Sequence, residues 1–164
     1  MEIAILADTH VPSREPRIPD WVRERIRTAD HTIHAGDFDS AAALATVRDV
    51  AAELTAVSGN IDPGLDLPQV ATVTLGGVTF VVTHGTGSPA GFEERVRATV
   101  RDHAGSSAVG ICGHTHRVLD TVVDGVRLLN PGSATGADPA AQATMLIVRV
   151  REGQFTVSVE RGEV

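Results

Sequence analysis

Ile3-Ala4-Ile5-Leu6-Ala7-Asp8-Thr9-His10 opens with five consecutive apolar residues and ends on two side chains able to bind a metal. A short continuous apolar run reads as a central strand covered on both faces. Polar groups just beyond its carboxyl end fall where open α/β sheets bind ligands. The same pattern recurs along the chain. Thr32–Ala35 precedes Gly36-Asp37, Leu54–Val57 precedes Gly59-Asn60, Val78–Thr83 precedes His84-Gly85, and Val109–Cys112 precedes Gly113-His114-Thr115-His116. In a continued strand Asp8 and His10, two apart, would share one face.

Between these strands the period changes. Pro19-Asp20 opens a helical pattern that places Ile18, Trp21/Val22, Ile26 and Ala29 on one face. Ser40 is a plausible N-cap for a helix carrying Leu44, Val47 and Val50. A β-α-β-α-β order implies parallel pairing with right-handed crossovers. The second half is richer in hairpins. Val70–Leu75 and Val78–Thr83 flank Gly76-Gly77, Asp120–Val123 and Val126–Leu129 flank Asp124-Gly125, and Thr144–Val150 and Phe155–Glu160 flank Glu152-Gly153. Ser88-Pro89 is expected to start a helix with Phe92, Val96 and Val100 inward. The expected fold class is α/β: a two-sheet β-sandwich of mixed strands flanked by helices.

A chain of 164 residues fits one domain, here residues 1–164, and can bury about 70% of its unfolded surface. There is no internal repeat, low-complexity segment or linker-like stretch. No signal-type segment precedes Ile3, and no apolar run approaches the roughly 20 residues of a membrane helix. Cys112 is the lone cysteine, which excludes an intrachain disulfide and reads as a small core residue. The expected setting is a soluble protein of the cytoplasm. All 14 basic residues are arginine, and the net charge is −7. The chain lacks the basic stripe of a general nucleic-acid binder, so no stable nucleic-acid or membrane partner is expected. Self-association stays open.

The five motifs supply two Asp, one Asn and four His: Asp8, His10, Asp37, Asn60, His84, His114 and His116. Asn is scarce, with only Asn60 and Asn130 in the chain, and both stand in motif positions. Imidazole and carboxylate suit manganese, iron, nickel or zinc without cysteine. A shared carboxylate and a bridging water fit two divalent ions about 3.5–4 Å apart. Taken singly, Asp-x-His is a weak signal, and Gly-Asp and Gly-Asn are commonly turns. Their order, each after a strand, carries the reading.

That order, Asp-x-His, Gly-Asp, Gly-Asn, His-Gly, Gly-His-x-His, resembles the calcineurin-like metallophosphoesterase superfamily, in particular its small single-domain prokaryotic phosphodiesterase branch. Asn130-Pro131-Gly132-Ser133 matches a further motif of that branch. The resemblance spans residues 3 to about 148 and implies a two-sheet sandwich flanked by helices. It implies one metal held by Asp8, His10 and His116, a second held by Asn60, His84 and His114, and Asp37 bridging them. It further implies a metal-dependent phosphodiesterase with a metal-bridging hydroxide as nucleophile, and it assigns Asp37, Asn60 and His84 to catalysis. Two divalent ions are the implied cofactors, manganese first, with nickel, iron, zinc or magnesium as alternatives. The implied partner is a small phosphodiester substrate.

The chain departs from the wider superfamily after Gly59-Asn60. Many members carry His there as a general acid or phosphate-orienting group; here the residue is Ile61. Thr86 stands where related chains often have a second His. A phosphomonoesterase on the same site is the alternative activity. A non-catalytic scaffold is the alternative class, since the eukaryotic retromer contains a protein of this fold that works as an interaction scaffold. His34 is read as either a support for a ligand or a core histidine. Asp39 and Asp62 are read as either orienting groups for His ligands or turn caps. Asn130 and Ser133 are supporting candidates against a plain Asn-Pro-Gly turn. His31 and His103 read as structural or exposed; Arg14 and Arg17, in the loop after His10, read as solvent-exposed, with reach to a phosphate as the alternative.

The missing lysines have two explanations: Arg codons in a GC-rich genome, or a surface adapted to high salt, where negative charge is screened. A salt-adapted chain should melt at a higher temperature in molar KCl than in dilute buffer. Equal melting temperatures in the two would assign the missing lysines to codon bias.

Overall fold

The computed structural model describes residues 1–62 and 64–162. Along the chain run β1 (Glu2–Leu6), α1 (Asp20–Thr28), β2 (His31–His34), α2 (Ala41–Val50), β3 (Leu54–Ala56), β4 (Val70–Leu75), β5 (Val78–Thr83), α3 (Phe92–Ala104), β6 (Val109–Ile111), β7 (Val118–Val123), β8 (Val126–Pro131), β9 (Ala143–Arg151) and β10 (Gln154–Gly162). They form two five-stranded sheets, ordered β10-β9-β1-β2-β3 and β4-β5-β6-β8-β7. The first has a parallel centre, with Ile5 opposite Ile33 and Thr32 opposite Leu54. The last hairpin, β9-β10, closes its far edge by pairing antiparallel to β1. In the second sheet β5, β6 and β8 are parallel, and β4 and β7 are antiparallel edges. The two-sheet α/β architecture is the one expected.

Alternation along β1 explains the layering. Ile3 and Ile5 face the second sheet and pack with Ile33, Phe80, Ile111 and Leu146. Ala4 and Leu6 face outward and are covered by α1 and α2 through Val22, Ile26, Leu44 and Val47. A strand apolar on both faces is thus buried on both faces, which is why its sequence does not alternate. On the outer side of the second sheet, Phe92, Val96 and Val100 of α3 pack on Val81, Cys112 and Leu128. Gly110 is required there, because a Cβ would sit 2.7 Å from Leu128 and 2.8 Å from Val100.

Ser40 caps α2 as expected: its Oγ accepts the Ala43 N–H at 3.1 Å. Three local expectations are corrected. Helix α3 starts at Phe92, not at Ser88-Pro89. Ser88 Oγ accepts the Ala90 N–H, Pro89 C=O accepts the Phe92 N–H at 3.4 Å, and Gly91 takes φ 76°. A left-handed residue interrupts any helix through it, so Ser88-Pro89 makes a turn instead. Strands β7 and β8 extend past the expected hairpin ends, because Val118 pairs with Pro131 and Leu119 with Asn130. Asp8 and His10 do not continue β1. The strand stops at Leu6, and both residues take left-handed backbone, φ 52° and 46°. Shared strand parity therefore does not bring them together; loop geometry does. Among the described residues no helix is long and apolar enough to cross a membrane.

Candidate metal centre

The loops after β1, β2, β3, β5 and β6 converge at one end of the two sheets. They bring together all seven predicted side chains. One nitrogen or carboxylate oxygen from each of Asp8, His10 and His116 lies within 4.8 Å of the others, and so does one from each of Asp37, His84 and His114. Asn60 joins the second set, its Oδ1 lying 3.1 Å from His84 Nε2 and 3.2 Å from His114 Nδ1. Asp37 stands between the sets, with Oδ2 at 3.2 Å from His84 Nε2 and 3.5 Å from His10 Nε2. Asp8 faces His116 Nε2 at 3.5 Å.

Backbone carbonyls decide which ring nitrogens are free. A carbonyl only accepts, so the nitrogen facing it carries the proton. His84 Nδ1–H donates to Ala35 C=O at 2.7 Å, and His116 Nδ1–H donates to Ala137 C=O at 2.9 Å. His114 is reversed, with Nε2–H donating to Gly87 C=O at 2.9 Å. In the neutral rings the lone pairs are then Nε2 of His84 and His116 and Nδ1 of His114, and all face the centre. Such outer hydrogen bonds fix ring orientation at metal sites.

The electrostatics also suit a cation. Asp8 and Asp37 are 0% and 2% exposed. Among the described residues neither is ion-paired to an arginine. Burial pushes Asp37 upward, but its bond to His84 and that ring's charge outweigh this and hold it below the usual carboxylate value. Burial opposes a charged His84, yet Asp37 and Asp8 hold its pKa above the ordinary one. Burial is likewise outweighed at His116, where Asp8 raises the pKa. At His10 burial prevails over Asp37 and Asp8, and the pKa is lowered. His10 Nε2 and His116 Nε2 approach to 3.0 Å, and Asp8 Oδ2 and His10 Nδ1 are buried without a hydrogen-bond partner. Converging lone pairs, two buried carboxylates and an orphaned carboxylate oxygen fit divalent ions held by nitrogen and oxygen.

Close approach explains the glycines of the motifs. A Cβ on Gly59 would collide with Asp37 Oδ1, and one on Gly113 would meet Ala7 Cβ at 2.9 Å and Asp8 Oδ2 at 3.0 Å.

The supporting residues resolve as follows. Among the described residues Asp62 makes no hydrogen bond or ion pair to a histidine. Its buried carboxylate accepts four backbone N–H groups: Asp37 at 2.7 Å, Phe38 at 3.2 Å, Asp39 at 2.9 Å and Gly59 at 2.9 Å. It ties the Gly-Asp loop to the Gly-Asn loop. Asp39 instead caps Ser13 N–H at 2.7 Å. Asn130 Nδ2–H donates to Gly113 C=O at 2.8 Å and Thr115 Oγ1 at 3.2 Å, bracing the Gly-His-Thr-His loop. Ser133 Oγ–H donates to Asp8 C=O at 2.7 Å, and Thr135 Oγ1–H donates to Thr9 C=O at 2.8 Å. Thr135 escaped the sequence reading, since a lone Thr beyond the Asn-Pro-Gly-Ser motif carries no distinguishing pattern. His34 is a core histidine stacked on Phe38, with Nδ1 accepting the Gly36 N–H; full burial lowers its pKa to about 3. His31 bonds Thr55 Oγ1, and His103 Nδ1–H caps Thr99 C=O at the surface. Arg14 donates to Asp138 C=O from an exposed position. Burial pushes the Cys112 thiol up, so it stays protonated in the core.

The profile of the calcineurin-like phosphoesterase superfamily domain matches residues 1–153. The chain belongs to this superfamily. It is similar to a probable metallophosphoesterase of Methanothermobacter thermautotrophicus, 31% identical over 137 residues, covering 82% of this chain and 78% of the relative. A phosphodiesterase of Methanocaldococcus jannaschii is 27% identical over 152 residues, covering 83% of this chain and 86% of that one. Among solved structures, Vps29 of Entamoeba histolytica complexed with zinc has a TM-score of 0.80 at 25% identity, covering 99% of this chain and 98% of the other. The fold is thus shared with Vps29, and the superfamily is metal-dependent.

The Asp62 clamp yields a stability test. A buried N–H left without a partner costs about 1–3 kcal/mol, and Asp62→Ala strands several at once. Denaturant unfolding should show a loss above about 3 kcal/mol for Asp62→Ala. Asp102→Ala, exposed on α3, should stay within about 0.5 kcal/mol of the parent. Similar losses for both would remove the clamp.

Proposed function

We propose that this chain is a di-metal phosphoesterase whose preferred substrates are phosphodiesters. The observation that carries the reading is the place of Asp37: one carboxylate in reach of His10 from the first set and His84 from the second. Asp8, His10 and His116 would hold one ion, Asn60, His84 and His114 the other, with Asp37 shared. Manganese heads the candidates, since three carboxylate or amide oxygens and four imidazoles also admit nickel, iron, zinc or magnesium. When bound, such a pair supplies an activated water and an electrophilic grip on phosphate oxygens.

The chain's own residues set what the site can and cannot do. Asp37 Oδ1 accepts the Ile61 N–H at 3.2 Å, so the residue after Asn60 is tied to the shared carboxylate by its backbone. The Ile61 side chain is half-buried and has no proton to give. Departure of an alkoxide is therefore unassisted from that position. A positioned general acid typically contributes about 10²–10⁴-fold, so poor leaving groups should suffer most. An apolar side chain beside phosphate favours a singly charged diester over the more strongly hydrated monoester dianion. Similarity to a protein named phosphodiesterase supports the same choice. A phosphomonoesterase is the competing activity.

The likeness to Vps29 raises an interaction scaffold as a second reading. The complete set of seven inward-facing ligand groups favours catalysis, since a scaffold has no need of them.

Two experiments test the proposal. Chelation should abolish hydrolysis, with Mn²⁺ restoring it, and Asp37→Ala should lose at least the roughly 10–100-fold in metal affinity that removing a ligand's outer partner costs. His103→Ala should lose nothing. Full activity after thorough chelation would overturn the metal mechanism. Turnover of a nitrophenyl diester, the matching monoester and an alkyl diester should rank the activated diester first. Ile61→His should gain on the monoester or the poor leaving group. A parent enzyme preferring the monoester would overturn the diesterase reading.

A further inference from the structure

Two clefts flank the proposed centre, and their chemistry differs. One begins at Asn60 and His84 and is lined by Ser58, Gln69, Thr86, Arg95 and Thr99. Asp62, Val70 and Val96 also line it, and its one cation, Arg95, donates to the carbonyls of Gly85 and Ser88 at 2.9 and 3.0 Å. The other begins at His114 and Thr115 and runs between the start of α3 and the edge strand β7. Phe92, Val118, Leu119, Val123, Pro89 and Pro139 give it apolar walls, Glu93, Glu94 and Arg117 add charged groups to its lining, and its volume is about 880 Å³. His114 connects the two, because its ring bonds Asn60 on one side and lies 6.5 Å from the Phe92 ring on the other.

We infer that the groove between α3 and β7 receives one ester arm of the substrate, and that this arm is an apolar alkyl chain. The inference rests on the phosphodiester reading and names the substrate class it left open. Three observations favour this occupant. The groove shares His114 with the proposed centre, so a phosphate gripped there would have one substituent beside the groove. Val118, in the groove lining, is 37% exposed and is one of three exposed large apolar side chains among the described residues. A nucleoside arm is poorly served, because Phe92 is 6% exposed and stacked on His114, and the His114 ring is itself committed to the proposed centre. Bases are held by stacking on exposed rings, and no such ring is offered. A diester with one alkyl arm and one polar arm matches the two unlike clefts.

Burying a methylene is worth about 0.8 kcal/mol, a factor of about four in affinity; an open groove that removes half of its surface from water gives about twofold. The test measures, by calorimetry on Mn²⁺-loaded full-length protein, binding of dimethyl, methyl butyl and methyl hexyl phosphate. Affinity should rise about twofold per methylene, reaching about 30-fold from the first to the last. Val118→Asp, a charge in the groove lining, should flatten the series, and so should the milder Val118→Ser in part. Val122→Asp, on the same strand but outside the groove and 63% exposed, should keep the slope. A flat series in the parent, or a slope that survives Val118→Asp, overturns the proposal. Hydrolysis of a nitrophenyl diester by the same preparation is read separately. The expected slope without any hydrolysis would retain the alkyl groove and overturn the phosphodiesterase reading; hydrolysis with a flat series would do the reverse.

Discussion

Two carboxylates, Asp8 and Asp37, are buried at the strand ends without an arginine against them, in a chain that has no lysine at all. Burying an ionised carboxylate is costly unless opposite charge and hydrogen bonds accompany it. The groups that meet these two are imidazoles, and imidazoles compensate only in part. Burial already lowers the pKa of His10, so that ring contributes little positive charge near neutral pH. His84 and His116 are raised by the same carboxylates they face. The crevice is a concentrated acceptor of cations, and the architecture around it is what keeps it assembled.

Assembly is expensive in backbone terms. Asp8, His10, Asp37, His114 and His116 all have φ between 46° and 70°, the left-handed region that non-glycine residues avoid. Each such residue costs on the order of 1–3 kcal/mol and persists only where its surroundings over-determine it. Here they do. Asp62 gathers four N–H groups from two loops, Asn130 braces a third loop, and Ser133 and Thr135 hold the carbonyls of Asp8 and Thr9. The central strands β1, β2 and β6 beneath are buried on both faces, so the loops stand on rigid strand ends.

The two-sheet architecture was legible because it rests on patterns that sequence displays directly: apolar runs, hairpin glycines and the switch from period 2 to 3.6. The seven candidate residues that the structure brings together were legible because scarce residue types recur after strands. What escaped was of another kind. Asp62 read equally as a turn cap or a histidine partner, because three of its four partners are backbone amides 23 to 25 residues away, and amides have no sequence identity. Strand parity suggested one face for Asp8 and His10, whereas the strand ends at Leu6 and left-handed turns aim both side chains. Ser88-Pro89 carried the chemistry of a helix start, but Gly91 in left-handed backbone postponed the helix to Phe92. In each case a tertiary bond or a backbone sign, invisible in composition, outweighed a local preference.

The fold itself is neutral between catalysis and scaffolding, as its sharing with Vps29 illustrates. The difference has to be sought in what the chain maintains at a cost. A scaffold would gain stability by replacing buried Asp8 with an apolar residue or by relaxing a left-handed ligand loop, since neither change touches its outer surface. This chain does the opposite. It keeps five strained non-glycine residues, an orphaned Asp8 oxygen and a dedicated carboxylate clamp, all aimed at one crevice. Strain concentrated where the seven candidate residues meet, and largely absent from the strands that carry it, is an observation on the side of the proposed metal site rather than of a scaffold.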